Sequence, residues 1–223
     1  GVILWIANYK LLPETLHLSQ RQSFNAKNLM RGYLEMGGSA RFMMLALASG
    51  IPFNGMFLYV LSAPVFLGDH LHLAPGQFFW FFLITIAGIM GGAFFSGRLA
   101  GRIKPHHQIR HGFLIMVLVS IANLALNLLF TPEAWWALIP LGIYAFGWAL
   151  MVPVVTLMVL DLMPERRGMA SSFQACIGSL ANAIVAGLIA PLVMHSTVWL
   201  AVASLLMMSV GVIAWIWVKP RVT

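Results

Sequence analysis

The stretch FMMLALASGIPFNGMFLYVLSAPVFL at residues 42–67 contains no Asp, Glu, Lys, Arg or His. Five further stretches share this property, at residues 76–96, 112–130, 134–160, 168–194 and 197–218. A helix of about 20 residues, at a rise of about 1.5 Å per residue, crosses the hydrocarbon core of a bilayer. Each stretch is long enough to do so. The sequence therefore predicts an all-α integral membrane protein with six transmembrane helices.

The Lys and Arg residues, 13 in all, fall on one side of the predicted membrane. Residues 10–41 hold five, residues 98–110 hold four, and residues 166–167 and 219–223 hold two each, whereas the loops around Asp69, Glu133 and His195 hold none. The positive-inside rule places the basic segments and the C-terminus in the cytoplasm. The net charge of +7 is thus spread over loops that meet anionic lipid, and nucleic acid is excluded as a partner.

The apolar windows also divide the chain into segments. Residues 1–9 are apolar but too short to cross, and we expect them to be the end of a truncated preceding helix, in the C-terminal part of a longer protein. Residues 10–41 are predicted to be a cytoplasmic linker. It forms either a solvated connector or a short amphipathic helix with Phe24, Met30, Tyr33 and Leu34 at the interface. Residues 42–218 form the six-helix domain, and residues 219–223 a cytoplasmic tail.

Small residues recur every four positions on two of the predicted spans, a spacing typical of closely packed membrane helices. The two stripes are Gly88, Gly92 and Ser96 on the second span, and Ala175, Ser179, Ala183 and Gly187 on the fifth. Close helix packing is the simpler interpretation of both. Beside the second stripe, Ser171, Gln174, Gly178 and Asn182 form a polar face, which either bonds another helix or lines a cavity.

Polar and aromatic side chains at mid-membrane depth either line a cavity or bond neighbouring helices. Asn54 and Tyr59 share the first span with Pro52 and Pro64, and prolines are tolerated where a helix borders a cavity. Tyr144 and Trp148 are one turn apart on the fourth span, where core packing with a local hydrogen bond is the alternative. Three polar residues on the third span are predicted to bond between helices: Ser120, Asn123 and Asn127.

The sequence offers little support for catalysis, metal binding or a channel. The seven His residues lie in loops or at span ends, which disfavours an intramembrane hydrolase, so no catalytic residue and no enzyme activity is predicted. The pairs His70 with His72 and His107 with His111 have spacings that a metal could use, but interfacial histidines are commoner and no metal site is predicted. A channel would need a charge ring or a filter loop, and the outer turns are too short for either.

Four short motifs resemble the major facilitator superfamily. LPETL at residues 12–16 is similar to the motif after the sixth helix of these transporters, and GRLAGR at residues 97–102 resembles their G-x-L-A-D-R loop, with Gly101 in place of the acid. FLYVLSAP at residues 57–64 resembles the F-x-Y-I-S-x-S-P stretch of the seventh helix in the Bcr/CflA branch of drug:proton antiporters. Ala63 replaces a Ser of that pattern. DLMPERRG at residues 161–168 is similar to a charged turn of the same branch.

The resemblance implies that the spans are helices seven to twelve, one half of a major facilitator fold, which works by alternating access around a midplane cavity. It places the first, second, fourth and fifth spans at that cavity and the third and sixth outside. The cavity candidates are Asn54, Tyr59, Tyr144, Trp148, Gln174 and Asn182. No span contains a carboxylate, so the coupling acid is expected in the missing N-terminal half.

The predicted function is efflux of amphipathic drug-like compounds across the bacterial inner membrane, coupled to proton influx and without a cofactor. Alternatives are uptake of a small metabolite by the same fold and a self-contained six-helix protein. The expected partners are membrane lipid, the substrates and the missing half. Arg98 and Arg102 end the second span on the side where Asp161 and Glu165 end the fourth. These four residues are predicted to form a cytoplasmic gate, with Arg98 paired to Glu165; solvated loop charges are the alternative.

Overall fold

The computed structural model describes residues 1–11 and 25–218, which leaves the LPETL motif, Phe24 and the tail at 219–223 outside the described residues. No strand occurs in these two ranges. The helices are α1 (Val2–Leu11), α2 (Ala26–Gly38), α3 (Ala40–Leu61), α4 (Phe79–Leu99), α5 (Pro105–Leu129), α6 (Ala134–Ala137), α7 (Ile139–Asp161), α8 (Arg167–Ile184), α9 (Ala190–Val193) and α10 (Thr197–Val218). Wider π-helical turns follow α3 at Pro64–His70 and α8 at Val185–Ile189.

Six helical segments are long and apolar enough to cross a membrane, which confirms the all-α fold with six spans. Their bounds follow the charge-free windows closely, with one clear difference at α5. This helix begins at Pro105, seven residues before the window at 112–130, and takes in His106, His107 and Arg110. Proline suits the first turn of a helix because the N–H that it lacks has no partner there. The basic residues therefore continue the span as helix.

Parallel packing of α4 on α7 is the most extensive helix contact in the described chain. Gly88 lies against the backbone of Gly142, and Gly92 lies against the backbone of Phe146, so both helices run in the same direction. A Cβ at Gly88 would overlap the carbonyl oxygen of Gly142, and one at Gly92 would overlap that of Phe146. The predicted close packing of the first small-residue stripe is confirmed. We call this contact the α4–α7 seam.

One buried side chain joins three helices at the end of the seam. The Nε2 atom of Gln108 on α5 donates to the Oγ of Ser96 at 2.7 Å and to the carbonyl oxygen of Leu150 on α7 at 2.9 Å. Gln108 is buried, so both hydrogen bonds are shielded from water and lipid. Ser96, the last member of the first stripe, thus provides both a small surface and a hydrogen-bond acceptor.

The second small-residue stripe has a different environment. Ala175, Ser179, Ala183 and Gly187 are exposed, and a Cβ at Gly187 would meet no atom within 4 Å. The predicted close packing of this stripe is wrong within the described chain, because no described helix covers that face of α8. Instead α8 contacts α3 and α7 through its opposite side. We call the uncovered surface the open face of α8.

The segment before the first span contains a helix that packs on the others. The hydroxyl groups of Tyr33 on α2 and Ser172 on α8 are 3.1 Å apart, and the Tyr33 ring lies 5.6 Å from that of Phe173. Glu35 pairs with Arg166 at 3.2 Å. Met30 and Leu34 remain exposed on the other side of α2. A helix is therefore present in this segment. Its position at the membrane interface and the role of residues 10–41 as a cytoplasmic linker stay predictions.

Candidate functional site

A groove of about 350 Å³ lies between α3, α7 and α8, beside the open face of α8. Its walls come from one stripe of each helix, and none of the residues that line it carries a charge. They are Ser49, Gly50, Phe53, Trp148, Val152, Ser171, Gln174, Ala175, Gly178, Ser179 and Asn182. We call this surface, as a candidate site for substrate, the substrate groove.

Aromatic rings form one wall of the substrate groove. The ring of Phe53 lies 5.0 Å from that of Trp148, at an interplanar angle of 46°, and 5.5 Å from that of Phe57. Tilted and offset pairs at such separations are favourable because ring edges meet ring faces. Phe53 and Trp148 are only partly buried. Their remaining surface is therefore available to a flat or apolar ligand.

Hydrogen bonds from α7 to α3 hold this wall in place around a proline. Pro52 lies inside α3 and has no N–H, so the carbonyl group of Ala48 loses its usual helical partner. Next to this break, the Nε1 of Trp148 donates to the carbonyl oxygen of Ser49 at 3.0 Å. The hydroxyl of Tyr144 donates to the carbonyl oxygen of Pro52 at 2.6 Å. These bonds fix the indole ring and join the two helices at mid-span.

Amide side chains from α8 form the opposite wall. The Nε2 of Gln174 donates to the Oγ of Ser49 at 3.0 Å and lies 3.4 Å from the Oγ1 of Thr156. Two turns further along α8, the Oδ1 of Asn182 is buried and has no hydrogen-bond partner among the described residues. A buried carbonyl oxygen without a partner costs roughly 1 to 3 kcal/mol, so a donor that reached it would be favoured. This unused acceptor therefore lies buried within the wall of the groove.

A family model described as Major Facilitator Superfamily matches residues 1–186. The chain belongs to the major facilitator superfamily. No match to the chain was found among curated proteins. The family match and the six apolar helices make this chain a multi-pass membrane protein of a transporter family.

In this major facilitator protein, three of the six predicted cavity residues lie together. Trp148, Gln174 and Asn182 all line the substrate groove. Gln174 and Asn182 lie on one face of α8, and Trp148 lies on the side of α7 that meets the same groove. Ser49 and Phe53 also line it and were missed by sequence reasoning, because a lone Ser and an apolar ring on α3 carry no signal that distinguishes them from packing residues. Both residues contact Trp148, which the sequence did predict, so a known contact between α3 and α7 would have identified them.

The other three predicted residues are packed inside the helix bundle. Asn54 is fully buried and its Nδ2 donates to the carbonyl oxygen of Gly50 in the same helix, while Tyr144 bonds to the backbone of α3. The hydroxyl of Tyr59 accepts a hydrogen bond from the Nδ2 of Asn123 at 2.9 Å. These positions do not line the substrate groove. A role for them in substrate contact stays a prediction, and the local hydrogen bond expected as an alternative for Tyr144 is present.

The contact between Asn123 and Tyr59 also confirms that Asn123 bonds between helices, since it joins α5 to α3. Asn127 bonds instead to Asn123, one turn away on the same helix. The predicted interhelical bond of Asn127 is wrong in the described chain, because its amide meets the carbonyl group of its own helix first. The same prediction is wrong for Ser120, whose Oγ is buried without a hydrogen-bond partner among the described residues. Asn127 supports the Asn123 side chain and does not itself bridge.

Arg98 and Asp161, both predicted gate residues, contact residues outside the predicted gate. The guanidinium of Arg98 lies 4.6 Å from the centre of the Phe94 ring, and Asp161 pairs with Arg167 at 2.8 Å. Along the α4–α7 seam, Gly92 faces Phe146, so Asp161 extends about 13 Å further along the axis than Arg98 at a rise of about 1.5 Å per residue. The pairing of Arg98 with Glu165, and the participation of Arg102, stay predictions.

Proposed function

We propose that this chain is the C-terminal half of a bacterial inner-membrane exporter of the Bcr/CflA type, which moves amphipathic drug-like compounds outward by alternating access coupled to proton influx. The observation that carries the proposal is the composition of the substrate groove. Aromatic rings and amides line it, and charged side chains do not. Such a surface suits varied apolar or weakly polar molecules better than a phosphate or a sugar.

The shape of the substrate groove supports a shared site. Its volume of about 350 Å³ is at the lower end of the range for pockets that enclose a drug-sized ligand. Ser171, Ala175 and Ser179 are exposed along its rim, so the groove is open towards the open face of α8. A ligand seated against Trp148 and Asn182 would therefore need a second wall. We assign that wall to another six-helix unit.

The open face of α8 supports the same partner for a different reason. Three side chains with polar atoms are exposed there, in a helix that crosses the membrane: Ser171, Cys176 and Ser179. Polar side chains that face lipid are costly and usually contact another helix or line a cavity. A second six-helix unit packed beside α8 would cover these groups and complete the groove.

Energy coupling is assigned to the partner unit as well. Proton coupling in a membrane needs an ionisable group that is alternately exposed, and no Asp, Glu or His lines the substrate groove. We therefore place the proton-carrying acid in the other half, with the proton gradient as the energy source and no cofactor. The basic loops would lie in the cytoplasm with the C-terminus, by the positive-inside rule.

Paired substitutions test this assignment of the groove. We expect Trp148→Ala and Asn182→Ala in the intact transporter to change which drugs the cells resist, because both remove direct ligand contacts. The matched controls are Trp217→Ala, whose ring is 60% exposed on α10, and Asn127→Ala on α5; neither residue lines the groove. We expect the controls to leave the order of resistances unchanged.

The measurement is a resistance profile over chemically different drugs, normalised to the amount of protein in the membrane. Equal loss of resistance to all drugs in all four variants would indicate a stability effect and contradict the groove assignment. Drug accumulation that increases in cells carrying the unsubstituted protein would indicate uptake and contradict export.

A further inference from the structure

A second groove lies between α5 and α10, away from the substrate groove. It has a volume of about 450 Å³ and shares no lining residue with the substrate groove. Its lining residues are His106, His107, Arg110, Phe113, Leu114, Val117, Val212, Trp215 and Ile216. We call it the α5–α10 groove. It runs from the basic end of α5 into the membrane.

The end of the α5–α10 groove at the first turn of α5 is positively charged. Arg110 is exposed, and His106 and His107 occupy the first turn of α5, with Lys104 just before the helix begins. The first turn of a helix also presents N–H groups with a partial positive charge. No Asp or Glu lines the groove. This end therefore attracts an anion.

The remainder of the α5–α10 groove is apolar and faces the membrane. Leu114 is 50% exposed and Ile216 is 63% exposed, although both lie within spans. Phe113 and Trp215 are buried and form the floor between them. Arg110 and Val117 are seven residues apart on α5, which corresponds to about 10 Å along the helix. The groove is thus a charged site continued by an apolar channel of that length.

We propose that the α5–α10 groove binds an anionic phospholipid of the leaflet on the basic side of the membrane. The phosphate group contacts Arg110 and the two histidines, and one acyl chain lies along Leu114, Val117 and Ile216. Charge complementarity selects this occupant, because basic pockets between transmembrane helices on the cytoplasmic side bind anionic headgroups. A zwitterionic lipid would bring a positive group to the same basic end and bind less well.

Native mass spectrometry of the intact, delipidated protein tests the proposal with phosphatidylglycerol and phosphatidylcholine of identical acyl chains. We expect phosphatidylglycerol to bind more tightly. At roughly 1 kcal/mol for each basic residue near a membrane surface, Arg110→Ala should weaken its binding about fivefold and Arg110→Glu about 25-fold. Arg110→Lys should retain most of the affinity. The matched control is Arg41→Ala, an exposed Arg at the start of α3 outside the groove.

Two further measurements separate a lipid site from a simple anion site. Glycerol phosphate, which has the charge without the chains, should not displace phosphatidylglycerol, and dihexanoyl phosphatidylglycerol should bind more weakly than the long-chain lipid. The melting temperature without added lipid should be the same for all variants, because Arg110 is exposed. Equal binding of both lipids, equal loss in Arg41→Ala, or displacement by glycerol phosphate would overturn the proposal.

Discussion

The α4–α7 seam and the open face of α8 carry the same spacing of small residues in different surroundings. In the seam, Gly88 and Gly92 bring two backbones into contact, and a Cβ on either would overlap a carbonyl oxygen. In the π-helical turn that continues α8, Gly187 faces no atom within 4 Å, and its three companions in the stripe on α8 are exposed. The seam is a packed helix interface. The open face of α8 has the same spacing of small residues, but no helix of the described chain packs on it.

The polar groups beside the two stripes differ in the same way. Gln108 at the seam is buried and makes two hydrogen bonds to neighbouring helices. Asn182 beside the open face has a buried oxygen without a partner among the described residues. A small-residue stripe therefore shows that close approach is possible, and the satisfaction of the neighbouring polar groups shows whether it has occurred.

The largest expected effect concerns the direction of the two regions across the membrane. The seam helices should begin outside and α8 inside, so single cysteines at Asp69 and Glu133 should react with an impermeant thiol reagent added to intact cells. A cysteine at Arg167 should not react. The measurement uses a Cys176→Ala background, because Cys176 is exposed on α8. Labelling in the reverse sense would invert the topology and remove the cytoplasmic assignment.

The next effect compares glycine substitutions in the two stripes. Gly88→Ala should lower the free energy of unfolding of this chain by about 1 to 3 kcal/mol, because the new methyl group meets the rigid backbone of α7. Gly187→Ala should change it by about 1 kcal/mol or less, since open space surrounds that position. The measurement is denaturant unfolding in mixed micelles. Equal destabilisation by both substitutions would show that the open face of α8 is packed after all.

A smaller difference is expected between the two glutamines. Gln108→Leu keeps the side-chain volume but removes two buried hydrogen bonds, and should cost about 1 to 2 kcal/mol. Gln174→Leu loses contacts in a half-buried groove and should cost under about 1 kcal/mol. The same unfolding measurement decides it. A greater cost for Gln174→Leu would place the main polar junction of the bundle at α8 instead of at the seam.

The smallest effect on transport is expected from charge exchanges at the end of α4 and after the end of α7, on the side of the membrane with the basic loops. Arg98→Glu and Glu165→Arg should each reduce transport by about fivefold at most, since exposed ion pairs contribute roughly 0 to 1 kcal/mol. The double exchange should restore part of the rate if the pair closes a gate. The pair of Arg167 with Asp161 is present in the structure and provides a positive control for rescue by charge exchange. Additive losses in the Arg98 and Glu165 double variant, at normal protein levels, would reject the gate.

The six spans were predictable because lipid excludes charge, and charge-free windows of at least 19 residues leave few alternatives. The start of α5 was not predictable, because a helix can extend beyond its apolar sequence. His106 and Arg110 precede the charge-free window and belong to the same helix. That difference hid Gln108, which lies outside the window and yet forms the junction of α4, α5 and α7.

The candidate site was predictable in part for a similar reason. Helical spacing placed Gln174 and Asn182 on one face, and both line the substrate groove. Spacing within one helix does not indicate which neighbour that face meets, so Tyr59 and Tyr144 could not be separated from groove residues. Their hydroxyl groups bond inside the bundle, to Asn123 and to the carbonyl group of Pro52. Partners on other helices decide such cases.

The α4–α7 seam also has a consequence for biosynthesis. The main partner of α4 is not the helix made next but α7, whose last residue, Asp161, follows Leu99 by 62 residues. At roughly 5 to 20 residues per second, α4 would wait about 3 to 12 s in the bilayer before its glycine face is covered. During that interval its small-residue groove is open to lipid and to other nascent chains, although Gln108 on α5 is already made and can reach Ser96. Folding of this protein therefore depends on α4 being apolar enough to stay in the bilayer before its main tertiary contact forms.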